Sequence, residues 1–110
     1  MQQRKQFEYI KVYWNHTCQE DPIVLFYEVD PEQERYATRL TEIFRDRRAI
    51  PVVEPGFAFI TEAPVPPVEE INQKENRDDF YAEIISKEEF EAVYGSAIYQ
   101  GDIRFPAPDV

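Results

Sequence analysis

At 110 residues and 13.1 kDa the chain has room for one domain with its own core, and 43% hydrophobic with 15% aromatic residues exclude a disordered or linker-like polymer. Its formal charge of -10 is lopsided: residues 1–50 hold eight Lys/Arg against nine Asp/Glu, and residues 51–110 hold four against thirteen. A field of that sign repels phosphate backbones and anionic membranes and steers cationic partners, which disfavours direct nucleic-acid or membrane binding and favours a basic protein partner. The plain alternative is acidity that only keeps a small domain soluble.

A single cysteine, Cys18, closes no internal disulfide. No apolar segment follows Met1-Gln-Gln-Arg-Lys5 as a secretory signal requires, and the longest apolar run, Ile23 to Tyr27, falls far short of the roughly 20 residues that cross a bilayer. A cytoplasmic location is expected.

In Phe7 to Trp14, Ile10, Val12 and Trp14 alternate with Tyr9, Lys11 and Tyr13, which predicts a half-buried strand whose Tyr/Lys face is either wet or covered. Asn15 to Asp21 reads as a loop carrying His16 and Cys18. Ile23 to Val29 is continuous enough in apolar residues for a central strand, with Pro22 at its edge. Arg35 to Arg45 is ambiguous. Tyr36, Leu40 and Ile43 or Phe44 fit helical spacing, while Thr38, Thr41 and Ile43 are β-branched and no cap precedes them. The hairpin-like continuation decides for a strand over Arg39 to Arg45, turning at Asp46-Arg47-Arg48 into an edge strand, Ala49 to Val53, that carries Pro51.

Glu54-Pro-Gly56 reads as a turn, Phe57 to Ile60 as a short strand, and Ala63 to Pro67 as extended chain that opens a short helix over Val68 to Asn72. Phe80 to Ile85 reads as a strand. It leads into a capping box, Ser86-Lys-Glu-Glu89, with Ile85 and Phe90 placed as a hydrophobic staple, Phe90, Val93 and Tyr94 on one face, and Gly95 as the stop. The remainder, with Ile98, Tyr99, Ile103 and Phe105, forms a small hairpin or docks as an arm. The fold class expected is α+β: a mainly antiparallel sheet of four to five strands, a short helix near residues 67–74 and a capped helix near residues 87–94, in a single domain 1–110 with its core over 7–95 and an extension over 96–110.

Taken in order, Tyr9-Ile-Lys-Val-Tyr-Trp14 with His16, Arg35-Tyr36, Glu42-Ile-Phe-Arg-Asp46, Pro64-Val-Pro66, Glu69-Glu-Ile-Asn72, and Glu83 with Ile85 to Glu91 and Val93 resemble a family of small bacterial domains of unknown function, DUF6881. The resemblance spans about residues 7 to 94. It implies a compact α+β domain and transfers no activity or catalytic residue. Three departures stand out: Arg47 occupies the place of a hairpin glycine, Pro67 that of a serine helix cap, and the chain after Ser96 is an extension.

His16 and Cys18 are the only residues of their kinds. Two apart, they suit a thiolate–imidazole pair or part of a metal site, yet zinc takes three or four protein ligands and the chain has no second His or Cys. No catalytic residue, metal or cofactor is assigned. Arg45, Arg47 and Arg48 around Asp46 form a basic knot able to grip an anion, or a solvated hairpin tip. The candidate binding residues are Glu69, Glu70, Asp78, Asp79, Tyr81, Glu83, Glu88 and Glu91: carboxylates steer a basic partner while an aromatic ring supplies the desolvated contact. The expected function is a non-catalytic acidic binding protein, most concretely an immunity or inhibitor protein that masks a nuclease-type toxin. The alternatives are a phage-type anti-defence protein that imitates nucleic acid, and a small enzyme using His16.

Overall fold

The computed structural model describes residues 6–32, 34–52, 65–73 and 79–101. Five strands, β1 (Glu8–Trp14), β2 (Val24–Asp30), β3 (Tyr36–Ile43), β4 (Ala49–Val52) and β5 (Phe80–Ile84), form one sheet in the order β4-β3-β2-β1-β5, antiparallel at every junction. Two helices complete the α+β fold, α1 (Val68–Ile71) and α2 (Lys87–Tyr94).

β2 is innermost, and all seven of its residues are buried, the apolar run Val24 to Tyr27 as a central strand requires and Glu28 and Asp30 with it. β1 is buried on both faces rather than half-buried, and its Tyr/Lys face is the covered one of the two alternatives, because Tyr9, Lys11 and Tyr13 lie beneath α2 and the segment that follows it. The sheet thus has two cores. On one face Tyr9, Tyr13, Phe26 and Ile43 meet Phe90 and Val93 of α2, with Tyr99 closing the far end. On the other, Ile10, Val12, Leu25, Tyr27 and Leu40 meet Val65 and Ile71 beside α1. α1 and α2 therefore cover opposite faces.

β3 starts at Tyr36 and ends at Ile43, earlier at both ends than Arg39 to Arg45. Its register slips opposite Glu28 and Val29, which pair with Arg39 and Ala37 and leave Thr38 as the extra residue of a bulge. That inserted residue is why the two-residue period of the segment is blurred. The hairpin into β4 turns with Arg47 at φ 74, the left-handed region where glycine is at ease, and Arg47 N–H donates to the Phe44 carbonyl at 2.8 Å. β4 is an edge strand carrying Pro51, as expected, and is described to Val52.

Ser86 caps α2 by accepting from Glu89 N–H at 3.0 Å. Gly95 ends the helix at φ -104, so its conformational freedom is not used; the left-handed residue is Ala97, at φ 66. Pro67 precedes α1 in an extended conformation with no side-chain cap, and α1 occupies a shorter span than residues 67–74. The strand expected at Phe57 to Ile60 and the turn before it lie outside the described residues. Residues 96–101 dock as an arm. Ala49 N–H donates to the Ala97 carbonyl and Tyr99 N–H to the Arg47 carbonyl, both at 2.8 Å, and the Tyr99 ring is buried edge-on to Phe26.

Candidate functional site

Five of the eight acidic-surface candidates lie on or beside β5. Glu69 and Glu70 are exposed on α1, which packs against β5; Asp79 is exposed just before the strand; Tyr81 and Glu83 lie on the strand itself. Asp78 lies outside the described residues. Tyr81 is 37% exposed, with its ring centroid 6.1 Å from that of Tyr13, and Ile84, the most exposed large apolar side chain described, is 59% exposed. The pleat divides them. Tyr81 and Glu83 stand opposite Tyr13 and Lys11 on the face that α2 covers, whereas Ile84 stands opposite Ile10 on the face of α1. The edge thus offers one accessible apolar side chain to each face, with Glu83 beside the first and α1 on the side of the second. Glu88 and Glu91 are placed elsewhere, on α2, over the sheet face that α1 does not cover.

Glu91 is committed internally. Arg39 grips it with Nη2 at 2.6 Å and Nη1 at 3.1 Å while holding Glu28 with Nη2 at 2.7 Å and Nε at 2.9 Å. Tyr9 donates its phenol to Glu28 Oε2 at 2.8 Å, and Thr38, the bulge residue, donates to Oε1 at 2.7 Å. Burial pushes the Glu28 carboxyl up, but the hydrogen bonds from Arg39, Thr38 and Tyr9 outweigh it and hold it down to about 2. Burial, followed by the hydrogen bond to Glu28, pushes the Tyr9 phenol up to about 12. The Arg39 hydrogen bond holds Glu91 below the usual carboxylate range. The Arg39 guanidinium also lies over the Phe90 and Tyr94 rings, so one side chain ties α2 to β2 and β3.

Five other described basic residues are likewise turned onto their own chain, and Lys87 is exposed on α2. Arg35 binds Glu8 at 2.6 Å and the Val65 carbonyl at 2.8 Å, and Lys11 is buried with its ammonium 4.6 Å from the Tyr13 ring centre and 5.3 Å from that of Tyr99. The knot at the hairpin tip separates into three tasks. Arg45 donates to the His16 carbonyl, Arg48 pairs with Asp46 at 2.7 Å, and Arg47 Nη1 donates to the carbonyls of Tyr99 and Gly101, each at 2.9 Å. The side chain standing where a glycine is expected is thus the clamp on the C-terminal arm.

His16 organises its loop. Nε2–H donates to the Pro22 carbonyl at 2.8 Å and Nδ1 accepts from Cys18 N–H at 3.0 Å, so both ring nitrogens are engaged and the ring packs 4.2 Å from Trp14, centre to centre. The Cys18 thiol is exposed. Among the described residues no group of three or more His, Cys, Asp or Glu is placed to hold a metal ion.

Two arrangements went unread in the sequence. Glu28 was the available signal for the first, since a carboxylate within an apolar strand requires partners. The second is Asn72, whose carboxamide donates to the Ala82 carbonyl at 2.8 Å and accepts from Ala82 N–H at 2.7 Å. Its position inside Glu69-Glu-Ile-Asn72 marked it only as part of a motif.

A family model described as a domain of unknown function, DUF6881, matches residues 8–99. The chain belongs to the DUF6881 family. No curated protein and no solved structure matches it. The span of the DUF6881 match ends at Tyr99, so it takes in the buried ring of the arm together with the whole sheet. Within this DUF6881 domain the motif residues Tyr9, His16, Arg35 and Asn72 bond to their own chain, while Glu69 and Asp79 are exposed and Glu83 is half-buried. No described helix is long and apolar enough to cross a membrane.

Proposed function

We propose that this DUF6881 domain is a cytoplasmic, non-catalytic binding protein that masks a basic protein, in the manner of an immunity or inhibitor protein acting on a nuclease-type toxin. The observation that carries this reading is the allocation of charge. Every described arginine is bonded to its own chain and Lys11 is buried, leaving Lys87 exposed on α2, while along the β5 edge Glu83 beside Tyr81 on one face, Glu69 of α1 on the side of Ile84, and Asp79 at the strand's start are without a described ion pair. Such a rim gives a cationic partner long-range attraction and one apolar anchor on each face to desolvate. Mimicry of nucleic acid has less support, because it needs a row of carboxylates on one surface and α1 and α2 carry theirs on opposite faces. An enzyme using His16 requires a ring nitrogen that the loop does not occupy.

The test is a panel of basic nucleases from the protein's native surroundings, each assayed for activity with and without an equimolar amount of the domain. Inhibition of one of them, relieved by Tyr81→Ala, supports the reading. Unchanged activity across the panel, with no complex formed at low salt, ends it.

A further inference from the structure

We propose that Asn72 guards the outer edge of β5 against strand addition by a second copy of this chain. Among the described residues β5 is an edge strand, with β1 on its one paired side. In an antiparallel ladder both main-chain groups of a residue point the same way. Ile85 N–H donates to Tyr9 and the Asp79 carbonyl accepts from Asn15, so the odd-numbered residues of this stretch face β1 and Phe80, Ala82 and Ile84 face away. Ala82 sits at the middle of that outward set, and the Asn72 carboxamide satisfies both of its groups, at 2.8 and 2.7 Å, as a paired strand residue does. An uncovered edge is a template for pairing, and natural sheets blunt theirs with specific devices.

The second copy is singled out as the excluded occupant by the strand's own register. A two-fold axis through Ala82 pairs Ala82 with Ala82 through the two groups that Asn72 now occupies, sets Phe80 opposite Ile84, and sets Tyr81 opposite Glu83. Apolar meets apolar on one face, no like charges oppose each other, and the contact closes on itself. Ile84 is 59% exposed, so it is accessible to that pairing. The opposite edge has its own block. Pro51 offers no N–H on β4, and Ala49 N–H is taken by the Ala97 carbonyl of the arm. Asn72 is the corresponding block on β5, independent of the binding role proposed above.

The experiment is sedimentation equilibrium of the wild type, Asn72→Ala and Asn72→Ala/Ile84→Lys from micromolar to millimolar concentration, with circular dichroism to establish that each is folded. The wild type is expected to keep the monomer mass throughout. Folded Asn72→Ala doubles its mass as concentration rises, and the added Ile84→Lys returns it to monomer, because pairing would set an ammonium group against Phe80 of the second copy and desolvate it. Amide exchange at Ala82 follows: faster than wild type in dilute Asn72→Ala and slower again as it associates. A folded Asn72→Ala that stays monomeric, or a dimer indifferent to Ile84→Lys, overturns the proposal. Should Asn72→Ala not fold, Asn72→Ser is read in the same way, and failure of both to fold assigns Asn72 to holding α1 on β5 and overturns the guard.

Discussion

Glu28 sits in the innermost strand of the sheet, a place where an isolated carboxylate costs several kcal/mol, and it is tolerated because Arg39, Thr38 and Tyr9 each bring a donor to it. With its folded pKa near 2 against an ordinary 4.5, the ionised form is the one the fold stabilises. The contribution, about 3 kcal/mol, is therefore complete above pH 4.5 and lost as pH falls toward 2, which acid unfolding followed by circular dichroism measures. Tyr9 has the opposite sign. Its folded pKa near 12 lies above the ordinary 10, so stability is lost as pH rises from 10 toward 12. Arg39→Ala leaves Glu28 buried beside neutral donors and is expected to cost about 3 kcal/mol or more in urea unfolding, and Arg39→Lys recovers only part, because one ammonium does not reproduce the guanidinium's fork. Thr41 is a contrasting residue. Its hydroxyl is fully buried and has no hydrogen-bond partner among the described residues, so the isosteric Thr41→Val is expected to raise stability by about 1 kcal/mol.

Among the elements, α2 was the most legible, since Ser86, Glu89, Phe90 and Val93 state a cap and a buried face within eight residues. β3 was the least. Its bulge at Thr38 breaks the alternation that identifies a strand, and only the β-branched residues and the hairpin that follows pointed to the correct state. The burial of the Tyr/Lys face of β1 depends on Phe90 and Tyr99, about 80 to 90 positions away in the sequence, a distance no local pattern spans. The hairpin tip and the arm form one unit. Arg47 accepts a left-handed backbone that costs about 1 kcal/mol relative to glycine and returns two hydrogen bonds to the carbonyls of Tyr99 and Gly101. Arg47→Gly is accordingly expected to leave global stability within about 1 kcal/mol of wild type while increasing amide exchange at Tyr99 at least tenfold. At Ala97, also left-handed, no side-chain role offsets the strain, so Ala97→Gly is expected to stabilise by up to about 1 kcal/mol.

At the scale of the whole molecule the sequence declared a lopsided charge but not its distribution over the fold. The described acidic residues of the second half separate onto two faces of the sheet: α2 gives Glu91 to the Arg39 network, and along the β5 edge Glu83 stands beside Tyr81 on the α2 face, Glu69 on α1 with Ile84 on the other face, and Asp79 at the strand's start. That partition could not be read from one dimension, because it depends on which face each helix covers and on where the arginines turn. It narrows the binding proposal from an acidic half-chain to one edge of the sheet. The most direct test is titration calorimetry of the domain against an inhibited basic nuclease at low and high salt, comparing wild type with Glu69→Lys/Asp79→Lys and with Glu88→Lys. The account predicts affinity that falls with salt, at least a tenfold loss for the rim reversal and little change for the α2 reversal. Equal affinity for all three proteins, or binding indifferent to salt, would contradict it.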